Sequence, residues 1–79
     1  MLSPSPPETI RREVKTYIRE MYGKKPANSS KALLLELLKL KAQAEENQTK
    51  FGLMYAKKVI FLARLIRGLK MAFPDLRQI

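Results

Sequence analysis

Glu45-Glu46-Asn47-Gln48-Thr49-Lys50-Phe51-Gly52 is the stretch on which the architecture of this chain turns. Before it, Leu33, Leu37, Leu40 and Ala44 recur at helical spacing, widened by Leu34 and Leu38. After it, Phe51, Tyr55, Val59, Leu62, Ile66, Leu69 and Phe73 form a second stripe of the same period. If the stretch is helical, the two stripes run together, interrupted only by Gln48, into one helix from Ser30 to about Ala72. A helix that long is uncommon in a small domain and needs a second chain to cover it. If Asn47, Thr49 and Gly52 turn the chain, two shorter helices fold back on each other. None of the three is a decisive breaker, and length priors favour the turn. The expectation is a small all-α three-helix bundle. The alternative is a short N-terminal helix plus one long helix that pairs in a dimer.

The N-terminal side supplies the first helix. Residues 1–5 read as a flexible arm, because serine and proline there offer little to bury. Ser5-Pro6-Pro7-Glu8 is a good helix start: Ser5 caps, Pro6 suits the first helical position, and Glu8 reaches back as in a capping box. Ile10, Val14, Tyr17, Ile18 and Met21 then share a face, leaving Arg11, Arg12, Lys15 and Arg19 in water. Gly23, followed by Lys24, Lys25 and Pro26, is the natural stop. A loop over 23–29 leads to Ser29 or Ser30 as the next cap.

The C-terminal side gives the third helix, expected from about residue 50 to Ala72. Its main stripe is backed by Leu53, Met54, Ile60, Phe61 and Leu65 on the opposite side. A helix apolar nearly all round is normally covered, by its own bundle or by a partner. Pro74 ends it, because the residue before a proline avoids helical angles. The domain expectation is therefore one helical unit over 6–73 and a short tail over 74–79. No strand pattern or internal repeat is visible.

Composition limits the chemistry. The 79 residues contain no cysteine and no histidine. That removes disulfides, Ser-His-Asp and Cys-His nucleophiles, the usual zinc ligands and histidine acid–base work. Glu45 and Glu46 are adjacent on a helix and point about 100° apart, so they do not converge. The glycines, at 23, 52 and 68, make no phosphate-cradling loop. The expectation is a non-enzyme with no catalytic residue, metal or cofactor. No leader pattern precedes the first helix, and the apolar stretch from Phe51 to Phe73 carries five cations, too many for a bilayer span. An intracellular setting, cytoplasm or nucleus or nucleoid, is expected on that basis.

Charge is the strongest signal. Sixteen Lys and Arg oppose seven Asp and Glu, for a net charge of +9. Such a chain is expected to meet a polyanion. Residues 1–28 carry six basic and three acidic groups, residues 29–50 four and three, and residues 51–79 six and one. Lys50, Lys57 and Arg64 recur every seven residues and drift only about 20° per step, so they are expected to form one stripe. Lys58 lies on the adjacent ridge. Rows of this kind meet phosphates. The candidate nucleic-acid contacts are Arg11, Arg12, Lys15, Arg19, Lys57, Lys58 and Arg64. Leu33, Leu37, Leu40, Tyr55, Val59, Leu62 and Ile66 are the candidate core or self-association seam.

The expected function is an accessory protein that binds RNA or DNA through phosphates, with little sequence preference, and that forms a homo-oligomer. The alternative is a protein-interaction adaptor that docks leucine-rich helices on an acidic partner. Leu34-Leu35-Glu36-Leu37-Leu38 fits the LxxLL docking pattern, although a plain core helix explains the same leucines. Phe51 to Phe73 also has the composition of a basic amphipathic helix suited to an anionic membrane surface, with burial the better explanation. A helix-turn-helix fits poorly, since the joints are longer than its short turn.

Overall fold

The computed structural model describes residues 6–79. Three α-helices, α1 (Pro6–Tyr22), α2 (Ser30–Phe51) and α3 (Ala56–Ala72), are joined by the loop 23–29 and by a 3₁₀ turn at Gly52–Met54. A second 3₁₀ turn, Pro74–Gln78, follows α3. No strand occurs among the described residues. The three-helix bundle is thus the architecture, and the single long helix is not formed. The expected arm over 1–5 and the Ser5 cap lie outside the described residues.

The punctuation follows the local chemistry. Gly23 takes φ 62°, a left-handed conformation that costs glycine nothing, and its N–H returns to the Arg19 carbonyl at 3.0 Å. The Ser29 Oγ accepts from the Ala32 N–H at 3.1 Å and caps α2. The break before α3 sits later than the sequence suggested. Asn47, Gln48, Thr49 and Lys50 stay helical, and α2 runs for 22 residues. Side chains favour this: Lys41 pairs with Glu45 at 3.0 Å, Lys50 pairs with Glu46 at 3.5 Å, and the Thr49 hydroxyl donates to the Glu45 carbonyl. Gly52 is the residue that stops the helix. Its φ of 76° and ψ of −149° lie in a region open almost only to glycine, and its N–H closes the helix on the Gln48 carbonyl.

The core is continuous. Val14 and Ile18 of α1 meet Leu33, Leu34, Leu37, Leu40 and Ala44 of α2 and Leu62, Leu65, Ile66 and Leu69 of α3. Each fully buried Leu or Ile contributes roughly 1.5–3 kcal/mol of transfer free energy, an upper estimate because the unfolded chain is already partly compact. Residues 74–79, set apart as a tail by sequence, fold back so that Leu76 joins the core. Arg77 Nε donates to the Lys70 carbonyl at 3.4 Å and holds that return in place.

α1 runs antiparallel to α3. Ile10 abuts Gly68, where a Cβ would lie 2.7 Å from the Ile10 Cδ1, and Tyr17 packs on Phe61 with ring centroids 4.9 Å apart. Tyr22 ends α1 at the level of Ala44, Tyr55 and Lys58. With 17 residues against the 22 of α2, α1 stops short of the α2–α3 elbow and leaves it uncovered.

Candidate nucleic-acid interface

Four of the seven candidate contacts come together. Arg11, Arg12, Lys15 and Arg19 line one shallow groove on α1, with Glu8 and Thr16. Arg12 and Arg19 lie on the side of α1 away from Val14 and Ile18, so core packing turns them outward, whereas Arg11 and Lys15 flank the core side and are half-buried. Among the described residues, the ion pairs are Lys41–Glu45 and Lys50–Glu46, both within α2. The groove's four cations outnumber its one carboxylate, Glu8.

Two of the four have a structural duty as well. The Arg11 guanidinium donates to the Asn28 carbonyl, and the Lys15 Nζ donates to the Asn28 Oδ1 at 3.5 Å. These bonds pin the 23–29 loop to α1. Arg11 is half-buried, and its Nε is buried with no hydrogen-bond partner among the described residues. Arg12 and Arg19 are exposed, and they are the freest charges of the set.

The α3 candidates divide. Lys57 and Arg64 are exposed on its outward face. Lys58 turns inward instead, with its Nζ 5.3 Å from the Tyr22 ring centroid and 5.5 Å from that of Tyr55. This cation–π clamp ties the end of α1 to the start of α3 and takes Lys58 out of the outward row. The stripe joining Lys50 to Lys57 and Arg64 does not form, because the elbow places Lys50 on a different helix. Between α1 and α3 lies a second groove lined by Arg12, Glu13, Thr16, Tyr17, Glu20 and Phe61. Its two glutamates separate the α1 cluster from the α3 cations.

The core candidates fare as follows. Leu33, Leu37, Leu40, Leu62 and Ile66 are buried, and Val59 packs against them half-buried. Tyr55 is half-buried, facing Lys58 and, at 6.0 Å, Phe51. All of this burial arises within a single chain. Leu34 and Leu37 of the LxxLL pattern are fully buried and Leu38 packs on the core, so those leucines offer no free docking face.

The bundle itself does not cover α3 all round. Leu65 is buried, but Leu53 is 84% exposed, Met54 79% and Ile60 62%, and Phe61 is exposed as well. Three helices can cover only the inward side of α3, and the elbow lies past the end of α1. A sequence signal existed: Lys50-Phe51-Gly52-Leu53-Met54 puts apolar residues around the helix-stopping glycine, and the tip of a hairpin has no neighbour of its own.

One buried polar atom stands out. The Tyr17 hydroxyl has no hydrogen-bond partner among the described residues. Burial first, and the neighbouring Tyr22 second, raise its pKa well above the usual 10.0 of a tyrosine. It packs between Tyr22 and Phe61, a structural position rather than a reactive one. No group of three or more His, Cys, Asp or Glu side chains is close enough to hold a metal ion among the described residues. No helix of the described residues is long and apolar enough to cross a membrane.

Compared with protein-family models, with curated proteins and with solved structures, the chain has no match.

Proposed function

We propose that this chain is a small non-enzymatic nucleic-acid-binding protein that holds phosphates on the basic face of α1. The observation that carries the reading is the convergence of Arg11, Arg12, Lys15 and Arg19 in one groove, four cations with one carboxylate, Glu8, among them. Phosphate contacts of this kind position a duplex or a folded RNA but carry no sequence information. Arg12 and Arg19 supply the mobile contacts, while Arg11 and Lys15 share their donors with Asn28. Lys24 and Lys25, exposed just after α1, extend the positive field from the same end of the helix. The absence of histidine and cysteine from the sequence supports a binding role over catalysis.

The test is fluorescence anisotropy with mixed-sequence duplex DNA and with structured RNA, between about 50 and 200 mM salt. Affinity is expected to fall steeply with salt and to differ little between sequences. Arg12→Gln with Arg19→Gln is expected to flatten the log–log salt slope by about two, one per lost phosphate contact. No binding of either polymer at about 50 mM salt defeats the reading.

A further inference from the structure

We propose that the α2–α3 elbow, with the outward face of α3 behind it, is a docking surface for the interfacial layer of an anionic lipid bilayer. Phe51, Leu53 and Met54 are 64%, 84% and 79% exposed, and Gly52 stands among them. They project where α1 has already ended, so no element of the bundle can cover them. Lys50 and Lys57 are exposed on either side of the trio. Along α3 the exposed positions continue as Ile60, Arg64, Arg67 and Met71, so apolar and cationic side chains alternate on one helical face.

Charge complementarity selects the occupant. From residue 47 to residue 74 the chain has not one carboxylate, and its exposed cations there are Lys57, Arg64 and Arg67, with Lys50 beside Glu46 at the edge. A second copy of this face would bring like charges together. A nucleic acid would satisfy the cations but leave Leu53, Met54, Ile60 and Met71 against water or phosphate oxygens. An acidic protein would need a socket shaped to side chains that project this far. A fluid anionic leaflet meets both requirements: acyl chains take the apolar prongs, and lipid phosphates take the lysines and arginines. Each basic side chain near such a leaflet strengthens association about fivefold. Since no helix of the described residues is suited to crossing a bilayer, the mode is lying on the surface. This surface is separate from the α1 groove and does not depend on it.

The experiment is vesicle co-sedimentation of the full chain. Phosphatidylcholine vesicles are compared with vesicles containing about 30% phosphatidylglycerol, a range that gives a strong surface potential. Binding is expected only to the anionic vesicles. Leu53→Ser with Met54→Ser is expected to weaken it at least tenfold, through lost apolar burial, while circular dichroism stays unchanged. Arg12→Gln with Arg19→Gln is expected to keep most vesicle binding, so failure here and failure of nucleic-acid binding read out separately. Three results overturn the proposal. The first is no binding to anionic vesicles. The second is equal binding by the Leu53/Met54 variant, which means adsorption by charge alone. The third is that variant abolishing either a dimer seen by light scattering or the binding of nucleic acid, which puts a second copy or a polynucleotide on the elbow.

Discussion

Leu33, Leu34, Leu37 and Leu40 and, further along the chain, Phe51, Leu53, Met54 and Ile60 are comparably apolar, yet their fates are opposite. The first set is at most 4% exposed, and the second at least 62%. The difference is one of neighbours. The first half of α2 runs beside both α1 and α3, whereas α1 ends at Tyr22, level with Ala44 and Lys58. Beyond that level α2 and the elbow have only each other. An apolar residue is buried when an element reaches it, and hydrophobicity alone does not bring one.

The sharpest way to break the comparison is truncation on each side of it. Leu37→Ala is expected to cost about 2–5 kcal/mol, because it opens a cavity in a small core. Leu53→Ala is expected to stay within about 0.5 kcal/mol. Urea titrations followed by circular dichroism measure both, and equal losses would mean that the elbow is covered in solution.

Next in size is the residue that creates the elbow. Gly52→Ala forces a side chain into a conformation that only glycine adopts freely, at about 1–3 kcal/mol. No atom lies within 4 Å of the position a Cβ would take, so backbone strain rather than crowding is what a thermal melt would report. Part of the population is expected to relieve that strain by continuing α2 into α3. Light scattering would detect this as a new dimer.

Smaller again is Lys58→Met, which keeps the stem but removes the charge held between Tyr22 and Tyr55. The expected loss is about 0.5–1 kcal/mol, with little salt dependence, since ring faces rather than carboxylates hold the ammonium. A loss that disappears in high salt would point to a charge contact instead.

The smallest change in stability at neutral pH is expected for Tyr17→Phe. The buried hydroxyl lies beside Tyr22 without a well-formed hydrogen bond, so removing it is neutral or stabilising by up to about 1 kcal/mol. The pH dependence is more telling. The folded pKa is raised, so the unfolded chain releases this proton first, and the stability it represents is complete below the usual 10.0 and is lost as pH climbs above it. Wild type is expected to lose more stability than Tyr17→Phe between neutral pH and the alkaline range above 10.0. Parallel curves for the two proteins would show that the phenol is solvated.

Much of the fold was legible in local chemistry. Gly23 as the stop of α1 and Ser29 as the cap of α2 both act as local chemistry dictates. The basic cluster of α1 was legible too, since spacing alone puts Arg12 and Arg19 away from Val14 and Ile18, with Lys15 on the flank. The placement of the break was not. Asn47 and Thr49 looked like turn residues, but ion pairs one helical turn apart keep that stretch helical until Gly52. Nor could the redirection of Lys58 be read, because one of its ring partners, Tyr22, comes from the far end of α1. The stripe through Lys50, Lys57 and Arg64 failed for the same reason: it assumed a helix that the elbow interrupts.

By itself, the sequence determined that the chain is helical, which side chains within a helix share a face, and that it carries a large excess of positive charge. These are properties of one element at a time, set by backbone propensity, capping and period. Only the tertiary structure decided which apolar faces are covered and which cations stay free. Those outcomes depend on how long each helix is relative to its neighbours and where its end falls, which is a relation between distant segments that no local pattern encodes.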